Sequence, residues 1–113
     1  MRSFFVLSAI AFCFVANAYA VTQEQFLACQ LKGEVFEQVA DSREHNMTPE
    51  TTYQRVGAYA NSGIPSLDKA FIKNAINLVF FDPRFENAYG PRFQKQMTEL
   101  CLSDGKPRFQ PLK

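Results

Sequence analysis

The hydrophobic positions of the chain repeat with helical spacing in four segments. From about Gln23 to Glu44, apolar residues recur every three or four positions on one face and acidic residues gather opposite. Thr22 precedes this segment as an N-cap, with Gln25 in the capping-box position. A second helix is predicted to begin after Thr48, with Pro49 first and Gly63 beyond its end, and a last one from Pro91 to about Leu102.

The most apolar segment runs from Leu67 to Phe81. Its polar residues at four-residue spacing form one narrow stripe: Lys69, Lys73 and Asn77. Ser66 is the predicted N-cap, and the helix should stop at residues 82–83, because a residue before proline is pushed out of helical geometry. A helix with so little polar surface should pack against partners on two or three sides.

Asn74 lies between Phe71 and Leu78 on the apolar side of this central helix. We therefore predict that Asn74 is a buried polar residue whose amide needs hydrogen-bond partners and fixes which neighbour packs where. No segment alternates with the period of a strand. The pattern predicts a compact, all-α domain of four helices.

The first 20 residues have the features of an export signal. Met1–Ser3 is a short basic start, Phe4–Val15 is apolar apart from Ser8, and Ala18–Ala20 ends in small residues. We expect a signal peptide over 1–20, a helical domain over 21–102 and a flexible basic tail over 103–113. The alternative is an uncleaved membrane anchor, although the apolar run is shorter than the roughly 20 residues that cross a bilayer. No stable membrane span is expected in the mature chain.

Two cysteines, Cys29 and Cys101, remain after removal of the predicted signal, one near each end of the domain. In an exported protein, two cysteines with none left over predict one disulfide. It would fasten the first helix to the last. Two free thiols, or bonds between chains, are the alternatives.

The charge of the mature chain sums to zero, because removal of Arg2 leaves 11 basic and 11 acidic residues. Nucleic acid is excluded as an expected partner, since phosphate binding needs a basic surplus. Acids predominate in residues 21–50 and bases from Arg84 onward. We interpret this bias as attraction between the two halves of the fold.

Enzyme signatures are missing from the sequence. His45 is the single histidine, and no CxxC, HExxH, G-x-S-x-G or phosphate-binding glycine loop occurs. We predict no enzyme activity, catalytic residue, metal site or cofactor, and a solvated His45.

The acidic stripe of the first helix is the candidate interaction face, together with two tyrosines predicted to stay exposed. Its members are Glu34, Glu37, Asp41, Glu44, Tyr59 and Tyr89. Carboxylates at this spacing line one helix face and could bind a cation or a basic protein. A solvated outer face without a partner is the alternative.

Several features together resemble small, uncharacterised exported helical proteins of Gram-negative bacteria: the signal, Cys29, the run from Ser42 to Pro49, and Cys101. The layout is also similar to periplasmic immunity proteins that neutralise secreted amidase toxins. The resemblance implies a periplasmic or secreted helical protein. We expect an interaction module (inhibitor, immunity factor or accessory subunit) whose partner is another protein, and a homodimer is compatible with this. The alternative is a small carrier that binds an apolar ligand between its helices.

Overall fold

Four α-helices dominate the computed structural model, which describes residues 21–103. They are α1 (Gln23–Glu44), α2 (Pro49–Val56), α3 (Lys69–Phe81) and α4 (Gly90–Leu102). Short 3-10 helices, Gly57–Asn61 and Pro83–Phe85, follow α2 and α3. This part of the chain contains no strand, so the predicted all-α, four-helix class is confirmed. The expected signal peptide and residues 104–113 of the expected tail lie outside the described residues.

The starts of α1 and α2 are fixed by the side chains that the sequence predicted as caps. Thr22 Oγ1 accepts the N–H of Gln25 at 3.0 Å, and Gln25 Oε1 accepts the N–H of Thr22 at 3.1 Å. In α2, Thr48 Oγ1 accepts the N–H of Thr51 at 3.1 Å, and Pro49 follows the cap. Each cap satisfies backbone donors that have no partner within the helix.

The central helix α3 begins two residues later than the sequence predicted. Its N-cap is Asp68, whose Oδ1 accepts the N–H of Phe71 at 2.9 Å, so the prediction of Ser66 is wrong. Leu67 instead closes a turn by donating its N–H to the carbonyl of Ile64, and its side chain is fully buried. Leu67 and Ile72 hold the two positions of a hydrophobic staple around Asp68, and both belong to the core. The later start thus lets Leu67 enter the core.

The prediction that Asn74 is buried is wrong. The buried residues of α3 form a single stripe with the spacing i, i+3, i+4, i+7: Ile72, Ala75, Ile76 and Val79. Asn74 lies nearly opposite that stripe around the helix and is exposed, as is Phe81. The reason is that α3 packs against α1 and α2 through this one side, which leaves Asn74 exposed together with Ala70 and Phe81.

Phe36 of α1 centres an aromatic cluster that joins three parts of the chain. Its ring centroid lies 5.8 Å from that of Phe71 in α3 and 5.9 Å from that of Phe93 in α4, both edge-to-face. Phe85, in the connection between those helices, adds a ring 5.9 Å from Phe93. Edge-to-face pairs add about 0.5–1.5 kcal/mol each to the effect of burial. The centre of the bundle is therefore filled with side chains.

Helix α4 runs antiparallel along α1 and is joined to it covalently. The predicted disulfide between Cys29 and Cys101 is present, with Cα atoms 5.4 Å apart and a sequence separation of 72. On the chain-entropy model, closing such a loop stabilises the fold by roughly 4 kcal/mol. One turn along α1, Gly33 faces α4: a Cβ there would overlap Thr98 Oγ1 and lie 2.8 Å from the carbonyl oxygen of Gln94. Gly33 therefore allows a close approach of α1 and α4.

Arg43, in the last turn of α1, binds three backbone carbonyl groups at the end of α3 and in the connection to α4. Its Nη1 donates to Val79 O at 2.8 Å and Phe85 O at 2.7 Å, and its Nη2 donates to Ala88 O at 2.6 Å. The side chain is only 15% exposed. The guanidinium thus ties α1 to the end of α3 and to the whole connection that leads to α4. No other side chain in the described range makes as many contacts of this kind.

Arg43→Met should lower the free energy of unfolding by about 2–4 kcal/mol, because three largely buried carbonyls lose a charged donor. Arg43→Lys should recover only part of the loss, because lysine keeps the positive charge but its ammonium group cannot reach all three carbonyl oxygens. Urea unfolding followed by circular dichroism measures both. Arg92→Met is the control: Arg92 is exposed, and the change should stay within about 0.5 kcal/mol. Equal effects at positions 43 and 92 would contradict the role of Arg43.

Gly33→Ala should destabilise the protein by about 1–3 kcal/mol, although helix propensity alone favours alanine by about 1 kcal/mol. We expect a loss of stability because the added Cβ would overlap α4. Gly33→Ala combined with Thr98→Ala should restore part of the stability, because the overlapping hydroxyl of Thr98 is removed. The recovery should be incomplete, because the Gln94 carbonyl oxygen remains close to the new Cβ. Gly57→Ala is the control, since a Cβ there meets nothing within 4 Å. A stabilising Gly33→Ala, seen as a raised thermal midpoint, would refute the close approach.

Candidate functional site

The acidic face of α1 borders a hollow of about 490 Å³ that ends at the start of α4. Its lining consists of Glu37, Gln38, Asp41, Glu44, Tyr89 and Gly90. Four of the six predicted interaction residues are therefore brought together. The carboxylates come from α1 at helical spacing, and the tyrosine comes from a distant part of the sequence. We call this site the acidic hollow.

Two of the three carboxylates in the acidic hollow already have cationic partners. Asp41 Oδ2 lies 3.1 Å from Arg55 Nη1, and Glu44 Oε2 lies 3.2 Å from Arg43 Nη2. Within residues 21–103, Glu37 has no basic side chain within 4.0 Å. The charge left for a ligand is thus concentrated at Glu37, which is partly buried.

Arg55 of α2 organises the wall of the hollow, and the sequence analysis missed it. Besides Asp41, its Nη1 donates to Ser42 Oγ at 2.8 Å, and its Nη2 donates to Gln38 Oε1 at 2.9 Å. These contacts hold Gln38 and Asp41 in place on the rim. The only signal in the sequence was that Arg55 is a basic residue on a short helix that follows the acidic helix α1. This does not show which acid Arg55 binds.

Tyr89 forms the opposite wall and is 65% exposed. It is the N-cap residue of α4, with an extended backbone and no side-chain capping bond. Gly90 follows with φ of 78°, a left-handed conformation that glycine adopts without strain. The turn at Gly90 and the bond from Arg43 to the carbonyl of Ala88 place the tyrosine ring beside α1. The sequence signal for Gly90 is a glycine directly before the proline that begins a helix.

Glu34 and Tyr59, the other two predicted interaction residues, lie outside the acidic hollow and pair with each other. Tyr59 Oη donates to Glu34 Oε1 at 3.1 Å, and the ring packs partly against the core. Burial, the hydrogen bond to Glu34 and the charge of that carboxylate raise the pKa of Tyr59 above its ordinary value. This pair joins α1 to the segment after α2.

The described residues carry no group of three or more histidine, cysteine or acidic side chains placed to hold a metal ion. His45 is exposed, and its Nδ1 lies 2.8 Å from the carbonyl oxygen of Asp41. None of the helices in this range has the length and apolar character needed to cross a bilayer. The chemistry available in the acidic hollow is therefore that of carboxylates, an amide and an exposed aromatic ring, which suits binding of a cationic group.

The Tyr59–Glu34 bond predicts a dependence of stability on alkaline pH. Because the pKa of Tyr59 is higher in the folded state, its contribution is fully present below about pH 10 and is lost as the pH rises through the folded pKa. Between about pH 9.5 and 11, the wild type should lose stability more steeply than Tyr59→Phe. Urea unfolding across this range tests the difference, with Tyr89→Phe as the control for removing an exposed hydroxyl. Parallel curves for wild type and Tyr59→Phe would contradict the prediction.

The chain was compared with protein-family models, curated proteins and solved structures. No protein-family model, curated protein or solved structure matches the chain. The interpretation of the acidic hollow therefore rests on its own residues.

Proposed function

We propose that this protein is an exported, non-enzymatic interaction module that binds another protein, as an inhibitor, immunity factor or accessory subunit. A disulfide is compatible with the periplasm or the extracellular space, where such bonds persist. The export features of residues 1–20 and the resemblance to small exported helical proteins support the same compartment. The domain acts through a preformed surface and carries out no chemistry.

The observation that carries the proposal is that exposed Tyr89 and Glu37 both line the acidic hollow. Exposed tyrosine is enriched where proteins bind each other, because it offers a large rigid contact area with a polar end. Among residues 21–103, no basic side chain lies within 4.0 Å of the Glu37 carboxylate. An apolar ring and a free carboxylate on two walls are the complement of an arginine or lysine side chain, which can stack on one and pair with the other. The proposed partner therefore presents a basic side chain on its surface.

The neighbouring pairs favour binding over simple solvation of this face. Arg43 pairs with Glu44, and Arg55 pairs with Asp41. These ion pairs fix two carboxylates of the acidic hollow before a partner binds. A preformed site loses less conformational entropy on binding than a set of free side chains. The charge of the rim should mainly raise the rate of association, and this effect is screened by salt.

The second candidate function is the small carrier with an apolar ligand between its helices. The packing of Phe36, Phe71 and Phe93 leaves the centre of the bundle filled, which weighs against a ligand buried there. One observation favours a weaker form of this idea: a surface groove of about 400 Å³ opens between α2 and α3.

Capture of the partner from periplasmic extract and culture medium tests the proposed function. The immobilised wild type should retain a protein that Glu37→Gln/Tyr89→Ala loses, with affinity reduced by at least about 30-fold, as for a binding hot spot. The affinity of the recovered protein should be measured by titration calorimetry at two salt concentrations. Salt should weaken it, because the contact is charged.

The matched control is Glu86→Gln/Phe81→Ala. It also removes one exposed acid and one exposed aromatic ring, but outside the acidic hollow. The control should keep full affinity, and circular dichroism should show both double variants folded. If both variants lose the partner equally, or neither does, the acidic hollow is not the binding site.

A further inference from the structure

The groove between α2 and α3 has the composition of a small-molecule site, and it is separate from the acidic hollow. Its lining consists of Pro49, Glu50, Tyr53, Gln54, Lys73, Ile76 and Asn77. Three of these residues are apolar or aromatic, and together with the lysine stem they give the groove apolar walls. Its volume of about 400 Å³ lies within the range of sites for small ligands.

The polar groups of this groove favour an anion. Lys73 Nζ lies 5.7 Å from the centroid of the Tyr53 ring, so its charge is held over the aromatic wall. Among residues 21–103, no carboxylate comes within 4.0 Å of Lys73. Gln54 and Asn77 add exposed carboxamides, whose N–H groups can donate to an acceptor. Glu50 is the single acidic residue of the lining.

We propose that the groove binds a small aromatic carboxylic acid. The aromatic part stacks on Tyr53 and packs against Ile76 and Pro49, and the carboxylate pairs with Lys73. A neutral hydrocarbon leaves the lysine without a counter-charge, and an organic cation is repelled by it. The ligand binds at an open surface groove and not within the core. This site does not depend on the protein partner proposed for the acidic hollow.

A pair of probes that differ in charge alone tests the proposal: 1-naphthylacetate and 1-naphthylacetamide, titrated into the ¹⁵N-labelled chain at low ionic strength. The acid should bind about two- to fivefold more tightly than the amide, the effect of one partly exposed ion pair. Amide-resonance shifts should be largest around Tyr53, Lys73 and Asn77. Lys73→Met should remove the preference for the acid without weakening the neutral amide.

Lys69→Met is the matched control, because Lys69 is an exposed lysine one turn earlier on α3 and does not line the groove. It should keep the preference for the acid. Tyr53→Ala should weaken both probes, since both use the aromatic wall. Equal binding of acid and amide to the wild type, an unaltered preference in Lys73→Met, or shifts centred elsewhere would each overturn the assignment.

Discussion

The bond network of Arg43 is the interaction on which most of this structure depends. One guanidinium binds carbonyl groups at the end of α3 and along the connection to α4, which lie 36 to 45 residues beyond Arg43 in the sequence. Carbonyls at a helix end have no partner within the helix, and burying them without donors is costly. By satisfying them, Arg43 fixes the path of the connection, and that path delivers Tyr89 to the acidic hollow. Stability and the candidate site thus share one side chain.

The uneven charge of the sequence predicted that acids in residues 21–50 attract bases from Arg84 onward. The ion pairs of the described residues follow a different pattern. The four pairs in residues 21–103 join Arg43 to Glu44, Arg55 to Asp41, His45 to Asp41 and Arg84 to Asp82. None joins the acidic residues 21–50 to a base beyond residue 84. What holds α4 against α1 is instead the disulfide, the packing at Gly33 and the ring of Phe93. Surface charge of this kind contributes little to stability, which leaves it free for binding.

Local signals predicted the helices well, and predictions that needed the tertiary arrangement were less accurate. The capping residues Thr22 and Thr48 act within three residues of themselves, so their sequence context is enough. The exposure of Asn74 depends on how α3 is rotated toward α1 and α2, and the narrow polar stripe of α3 does not show how far the exposed side extends around the helix. The start of α3 at Asp68 depended on whether Leu67 could reach the core. In the candidate site, helical spacing grouped the acids of α1, but Arg55 and Gly90 join them only through folding.

The filled core decides where this domain can act. Phe36 packs against rings from α3 and α4, and Gly33 lets α1 and α4 approach each other closely. The proposed sites therefore lie on the surface, where their walls come from helices and from the connection held by Arg43. The acidic hollow and the groove beside Lys73 are both of this kind, and they carry opposite residual charge: Glu37 in one and Lys73 in the other. A fold of this size can therefore present two chemically distinct sites, since each needs only one uncompensated charge next to one tyrosine.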